Sequence, residues 1–289
     1  MRHLLRHFLL FFGLLLSSPA LVSAQVYFRM DYSAAAAPGA GWSGVVPVAY
    51  THDRQRIAGS GPNGEDSYQL TQLYSTAPGL GGEYYWGWNG YLEPSDPTQG
   101  SSRFFRWRLR FSPETNFRGV YSQDGRPTTL TNKLLMVGDG CGRNSCRAII
   151  SYRGADDGTR AEYLRIALDG GDNPADALSL PVGEWINIQI ELDSSTTTSS
   201  SDGAFKIWVN NNNYAQPTAQ RTGFQLNPVN WRYVFLGAYN NNGLQQSGVH
   251  SFRQTGFEAA RSFDSSWHSA GGTNPAPAAP TSFRTNPTP

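Results

Sequence analysis

Hydrophobic and polar residues alternate strictly over several short segments of this chain. In the segment FFRWRLRF, residues 104–111, large apolar side chains alternate with arginines. Successive side chains of a β-strand point to opposite faces of the sheet, so the segment predicts a half-buried strand. Its buried face carries Phe105, Trp107, Leu109 and Phe111, and its wet face carries Arg106, Arg108 and Arg110.

Comparable segments recur along the chain and predict an all-β fold. Clusters of Gly, Asn, Asp and Ser, which favour turns, separate them, and residues 26–100 show no helical periodicity longer than two turns. This pattern is typical of a two-layer antiparallel sandwich. The predicted strands are Phe104–Phe111, Lys133–Val137, Arg147–Arg153, Glu162–Leu168, Trp185–Leu192, Phe205–Asn210, Arg232–Tyr239 and Gly248–Ala260.

The composition of the two ends differs from that of the body of the chain. Residues 1–24 have a basic start, an apolar run and the small-residue site Val22–Ala24, which predict a cleaved signal peptide and a secreted or periplasmic protein without a membrane span. Residues 271–289 are rich in Pro, Ala and Thr and predict a flexible tail. A single sandwich domain is therefore expected over residues 25–270, with the SSTTTSSS stretch at 194–201 as a loop inside it.

Charge and cysteine content narrow the function classes. Once Arg2 and Arg6 leave with the signal peptide, 21 basic side chains face 22 acidic ones, so a nucleic-acid partner is not expected. Only Lys133 and Lys206 are lysines, and the arginine bias suits planar recognition of carboxylate or sulfate, although a GC-rich genome produces the same bias. Export makes a local disulfide between Cys141 and Cys146 the expected state.

Two segments resemble the concanavalin A-like jelly rolls. The first is LPVGEW at Leu180–Trp185, and the second is DGAFKIWVN at Asp202–Asn210, with a closing strand expected over Phe252–Arg261. The resemblance implies a two-sheet antiparallel β-jelly-roll sandwich. Lectins, glycosidases, lyases and adhesion domains share this architecture, so it does not by itself fix an activity.

The order of motifs is most similar to that of the polysaccharide lyases, particularly the alginate-lyase group. That group carries an R-x-E-L-R strand, a Gln-x-His strand and a late Y-x-K-x-G-x-Y-x-Q strand. Arg106–Arg110 resembles the first, with Arg108 in place of glutamate, and Tyr233–Asn241 resembles the third, with Phe235 in place of lysine. The middle counterpart, Leu134–Gly138, has no histidine. Heparin lyases and glucuronan lyases share the scaffold with different residues.

The resemblance implies cleavage of an acidic, uronate-containing polysaccharide by β-elimination. This reaction needs a cation beside the substrate carboxylate, a base near the C5 proton and an acid for the leaving oxygen. By resemblance Tyr239 supplies the base and the acid, and Arg108 takes part with it. His250 is a further catalytic candidate, because histidine exchanges protons near neutral pH. The substrate-binding candidates are Arg106, Arg110, Lys133, Tyr233, Arg253, Gln254 and Trp88.

Each candidate also has a structural interpretation. Arginines on a β-sheet face can pair with neighbouring carboxylates, tyrosine and tryptophan can pack in the core, and His250 can be structural. The lyase hypothesis depends on the arginines sharing one hollow with Tyr239. The alternatives are a non-catalytic carbohydrate-binding or adhesion domain and a structural envelope protein.

Other chemistries find less support in the sequence. The chain has no G-x-S-x-G, P-loop or H-E-x-x-H motif. The segment beginning at Glu191 lacks the last glutamate of the E-x-D-x-x-E pattern of jelly-roll glucanases. No cofactor is required for elimination, and no metal ligand is assigned, although a structural calcium ion can bind at acidic turns such as Asp169–Asn173 and Asp202. We expect a monomer whose partner is an acidic polysaccharide.

Overall fold

A computed structural model of the chain describes most of the predicted sandwich. The described residues are 26–30, 32, 42–45, 51–74, 84–91, 102–120, 127–129, 131–138, 146–154, 161–168, 171–174, 180–197, 199–224, 231, 233–240 and 248–267. The predicted signal peptide at 1–24, the predicted tail at 271–289, Cys141 and Asp169 lie outside them. The disulfide, the export signal and the domain limits stay predictions.

Seventeen β-strands occur within these described ranges. They are β1 (Val26–Arg29), β2 (Trp42–Val45), β3 (Thr51–Ile57), β4 (Ser67–Tyr74), β5 (Tyr84–Tyr91), β6 (Ser102–Phe111), β7 (Arg118–Val120), β8 (Pro127–Thr129), β9 (Thr131–Gly138), β10 (Cys146–Gly154), β11 (Ala161–Leu168), β12 (Gly171–Pro174), β13 (Ile186–Asp193), β14 (Gly203–Val209), β15 (Ala219–Phe224), β16 (Tyr233–Asn240) and β17 (Gly248–Ala260). The eight strands predicted from alternation are all present, with ends that agree within two residues.

The strands form two large sheets and one small one. The eight-stranded sheet has the order β15-β14-β13-β6-β17-β4-β3, with β1 also paired to β17. The seven-stranded sheet has the order β12-β11-β10-β9-β16-β5-β2, and β7 pairs with β8. All these strand pairings are antiparallel. The predicted all-β, two-sheet jelly-roll sandwich is confirmed.

The core lies between the two large sheets. The eight-stranded sheet contributes alternate residues of β6 and β13, such as Trp107 and Ile188, which are fully buried. The seven-stranded sheet contributes Ile150 and Leu236 in the same way. At one end Phe111 of β6 meets Tyr152 of β10 edge-on, with ring centroids 5.0 Å apart. Burying one such side chain contributes roughly 1.5–3 kcal/mol, so this shared layer holds the sheets together.

The connections that border the arginine-bearing strand are short and specific. After a parallel bridge between Phe111 and Val182, Gly183 adopts a φ of 77° and its N–H donates to the Phe111 carbonyl at 2.8 Å. The serine- and threonine-rich stretch at 194–201 joins β13 to β14, as predicted. No helix occurs in the part of the chain that the structure describes, and hence none there has the length and apolar character to cross a membrane.

Candidate functional site

The arginines of β6 lie on the face of the eight-stranded sheet that points away from the core. Their neighbours on the strand belong to the buried core, so alternation places the arginines opposite it. The three arginines have different surroundings there. The exposed fractions of Arg106 and Arg108 are only 1% and 3%, whereas Arg110 is partly exposed.

Arg106 is held in an ion pair with its register partner on β17, Glu258. Its Nε and Nη2 donate to Glu258 Oε2 at 2.7 and 2.6 Å, and Nη2 also lies 3.4 Å from an Asp264 oxygen. Glu258 is 2% exposed and pairs with Arg29 of β1 as well. A buried charge is costly unless it is paired, and here both charges are paired within the chain.

Arg108 lies beneath an indole ring that follows β17. Its guanidinium carbon is 4.0 Å from the centre of the Trp267 ring, which also covers Arg106 at 5.1 Å. Arg108 Nε donates to Asn187 Oδ1 at 3.0 Å, and Nη1 lies 3.3 Å from Glu65 Oε1. Burial lowers the pKa of Arg108 below its usual range, although Glu65 opposes that shift. We call Arg106, Arg108, Glu258 and Trp267 the covered arginine cluster.

The arginines of β6 do not share a hollow with Tyr239. They belong to the eight-stranded sheet, whereas Tyr239 lies on β16 of the seven-stranded sheet. The prediction of one groove lined by Arg106, Arg108 and Arg110 beside this tyrosine is therefore wrong. His250 also lies in the eight-stranded sheet, on β17 opposite Gln72 of β4.

Arg110 and Arg253 do come together, on the outer side of the eight-stranded sheet. They are register partners on β6 and β17 and line a surface hollow of about 150 Å³. Arg110 Nε donates to the Gly183 carbonyl at 2.9 Å, and Arg253 Nε donates to Gln69 Oε1 at 2.8 Å. The neighbouring Gln254 is 1% exposed and does not line the hollow, because adjacent strand residues face opposite ways.

The seven-stranded sheet brings together a different set of candidates. Tyr239 is the register partner of Tyr85 on β5 and of Lys133 on β9. Lys133 is partly exposed and is in turn the register partner of Ser151 on β10. A tyrosine, a lysine and a serine therefore occupy one row across three adjacent strands. Sequence reasoning did not place Lys133 beside Tyr239, because strand pairing is not local in the sequence.

The row continues into a buried aromatic surface on the same sheet. Tyr233 and Phe235 alternate on β16 with core residues and keep 7% and 3% of their exposure. Met136, the register partner of Phe235, is 8% exposed. Trp88 lies on β5 opposite Leu236, and its side chain is outside the described residues. Among the described side chains of this surface, Tyr233, Phe235 and Met136 are buried and Lys133 is partly exposed.

The acidic turn that is described is occupied by its own loop. Both oxygens of Asp202 accept hydrogen bonds from Thr196, from the backbone N–H at 3.0 Å and from the hydroxyl at 2.7 Å. These bonds lower the pKa of Asp202 to about 2. Within the described ranges, no group of three or more His, Cys, Asp and Glu side chains is arranged to hold a metal ion.

The comparisons with known proteins concern the fold and not the activity. Neither a protein-family model nor a curated protein matches the sequence. Among solved structures, alginate lyase vAL-1 from Chlorella virus is similar with a TM-score of 0.46 and 12% identity, over 82% of this chain and 100% of that one. Alginate lyase Aly36B is similar with a TM-score of 0.43 and 10% identity, over 84% of this chain and 94% of that one.

A protein with a different name is similar at a comparable level. The binding domain of botulinum neurotoxin serotype C1 is similar with a TM-score of 0.43 and 8% identity, over 75% of this chain and 44% of that one. Alginate lyases are therefore among the solved structures to which this chain is similar. At these identities the similarity assigns no reaction and no substrate.

Proposed function

We propose that this chain is an exported protein that binds an acidic polysaccharide on the seven-stranded sheet and cleaves it by β-elimination. The main support is the register of β16 and β9, which makes Tyr239 and Lys133 cross-strand neighbours. Directly opposite residues of an antiparallel pair have Cβ atoms about 4.5–5.5 Å apart. Two residue types that can supply a phenol and an ammonium group therefore lie opposite each other on adjacent strands.

The pair supplies the groups that elimination requires. Lys133 neutralises the uronate carboxylate, which makes the neighbouring C5 proton easier to remove. The Tyr239 phenolate, which a nearby ammonium group favours, takes that proton. The electron pair of the C5–H bond forms the C4–C5 double bond, the C4–O bond breaks, and the phenol returns the proton to the leaving oxygen.

The other candidate residues lie on two different sheets, and this determines which of them can act with Tyr239. Lys133 takes the role that was expected of Arg106 and Arg108, which are paired within the covered arginine cluster. Trp88 stays a prediction for stacking on a sugar ring, because β5 borders β16. Tyr233 is buried and is not proposed as a sugar platform.

Turnover of defined polymers tests the proposal. The mature protein is incubated with alginate, polyglucuronate, pectate and heparin, and the ultraviolet absorbance of unsaturated uronate is followed. We expect product from at least one polymer, and a loss of rate of about 10²–10⁴-fold in Tyr239→Phe, because one group acts as base and acid. We expect a comparable loss in Lys133→Ala.

Tyr214→Phe is the matched control, because Tyr214 is an exposed tyrosine outside the seven-stranded sheet. It should keep the rate of the unsubstituted protein. Absence of product from all four polymers contradicts the proposal. Retention on a polymer without product instead supports the alternative, a non-catalytic carbohydrate-binding domain.

A further inference from the structure

Two arginines face each other across neighbouring strands without a carboxylate between them. Arg110 of β6 and Arg253 of β17 are register partners, which places their Cβ atoms about 4.5–5.5 Å apart. Like charges directly opposite in an antiparallel pair destabilise the sheet. Within the described part of the chain, no carboxylate forms an ion pair with either residue.

At the other end of the same two strands, an arginine faces a carboxylate and not a second arginine. There Arg106 is the register partner of Glu258, and the two form an ion pair at 2.6 Å. Glu114 lies at the hollow beside Arg110 and Arg253, but it is exposed and pairs with neither. The arrangement therefore leaves a net positive charge at a concave surface.

Both guanidinium groups are held by their Nε atoms. Arg110 Nε donates to Gly183 O, and Arg253 Nε donates to Gln69 Oε1. These bonds fix the guanidinium planes and leave the terminal Nη groups without a protein acceptor in the described residues. Paired N–H donors in a fixed plane match the oxygens of a carboxylate or sulfate group.

We propose that this hollow is an anion-binding site that takes one carboxylate or sulfate group of an acidic polysaccharide. It is lined by Gln69, Arg110, Ser112, Pro113, Glu114 and Arg253 and has a volume of about 150 Å³. The site belongs to the eight-stranded sheet and is separate from the row of Tyr239, Lys133 and Ser151 on the seven-stranded sheet. It takes its ligand class from the proposed function but uses none of that function's chemistry.

The physical consequence is a second point of attachment for the polymer. A chain bound at this hollow is held through its charged substituents, whereas the proposed elimination requires a sugar ring beside Tyr239. Binding at two sites raises the retention of a long polymer more than that of a short oligosaccharide, because the second contact is intramolecular.

Binding is tested in a Tyr239→Phe background, which keeps the polymer intact. The test variant carries Arg110→Gln and Arg253→Gln. The control variant carries Arg221→Gln and Arg261→Gln, which removes the same charge from two exposed arginines outside the hollow. Affinity for heparin and for polyglucuronate is measured by titration at low salt.

We expect the test variant to bind at least one polymer about tenfold more weakly than the control, because charge-assisted hydrogen bonds from two side chains are lost. If the two substitutions weaken the binding of heparin alone, the bound group is a sulfate. If they weaken the binding of polyglucuronate, the bound group is a carboxylate. The difference should shrink at high salt, which screens exposed charges. Equal affinity of test and control variants for both polymers overturns the proposal.

Folding stability gives a second readout. Without polymer, the test variant should unfold at an equal or slightly higher temperature than the control, because a like-charge contact has been removed. A marked fall in its unfolding temperature would show that the pair is structural and would overturn the proposal. Failure of the lyase proposal shows separately, as the absence of product from the unsubstituted protein.

Discussion

The two ends of the β6–β17 pair carry arginines of the same type in opposite electrostatic settings. At one end Arg106 faces Glu258, and Trp267 closes over it. At the other end Arg110 faces Arg253, and the hollow beside them is open. The difference does not come from β6, which presents its arginines at regular intervals. It comes from the residue that β17 places opposite each of them.

This contrast shows how one strand places arginines both in a buried ion-pair network and at an open surface. In the covered arginine cluster, burial lowers the pKa of Arg108, and the nearby carboxylates of Glu65, Glu258 and Asp264 oppose that shift. The groups of this network are buried and paired with one another, so they are not open to a ligand. Arg110 and Arg253 are partly exposed, so an external anion can reach them.

The largest effect is expected from breaking the buried pair. Arg106→Met removes the main partner of a carboxylate that is 2% exposed and leaves it with Arg29. Removing one partner of a buried ion pair costs about 3–5 kcal/mol, and we expect the lower part of this range because Arg29 remains. Urea unfolding at neutral pH measures the loss. Arg110→Met is the matched control and should change stability by less than about 0.5 kcal/mol.

A loss below about 1 kcal/mol in Arg106→Met would contradict a stabilising role for the buried pair. It would mean that the Arg106–Glu258 pair contributes no more than an exposed ion pair. The double variant Arg106→Met with Glu258→Met gives an additional check. Replacing both members of a buried pair by apolar side chains costs less than removing one, so this variant should recover stability relative to Arg106→Met.

Removal of the covering indole is expected to have the next largest effect. Trp267 is 2% exposed, and its ring contacts two guanidinium groups. Trp267→Ala loses this packing and admits water to Arg108, for which we expect a loss of about 2–3 kcal/mol, below the range for a fully packed core tryptophan. Thermal unfolding compares it with Trp267→Phe, which keeps a ring over Arg108 and should lose less. Equal losses in the two variants would rule out ring stacking as the stabilising contact.

Much of the fold was predictable from the sequence because strand alternation is a local signal. The segments that became β6 and β13 each have one apolar face, and β17 agrees with its predicted bounds at both ends. β15, Ala219–Phe224, was not predicted. It lies at the edge of the eight-stranded sheet and is mostly polar. It therefore lacks the apolar face from which a central strand can be predicted.

The candidate site was less predictable because it depends on pairing between distant segments. Alternation placed Arg106, Arg108 and Arg110 on one face but not in the sheet of Tyr239, and it carried no information about register. One local signal was available. Glu258 is the only charged residue in the apolar run FEAA at 257–260, and a carboxylate in a buried strand requires a cation nearby.

The smallest effect is expected from an exposed pair in the same sheet. Asp66 lies beside Arg56 of β3, whose Nε donates to Asp66 Oδ2 at 2.7 Å, and the Gly59 N–H donates to Oδ1 at 3.0 Å. These contacts, first the backbone bond and then Arg56, lower the pKa of Asp66. A lowered carboxyl pKa contributes stability above the unfolded value, near 4, and that stability is lost as the pH falls through the folded value.

We therefore expect Asp66→Asn to lose about 0.2–1 kcal/mol at pH 7, since solvent screens an exposed pair. The difference from the unsubstituted protein should shrink as the pH is lowered below about 4, because the native Asp66 then becomes protonated and loses its advantage. Urea unfolding at both ends of this range tests the sign, with Glu114→Gln as a control at an exposed acid outside any described ion pair. A constant difference across the range would contradict this assignment, whereas convergence would mark Asp66–Arg56 as the weak, titratable counterpart of Arg106–Glu258.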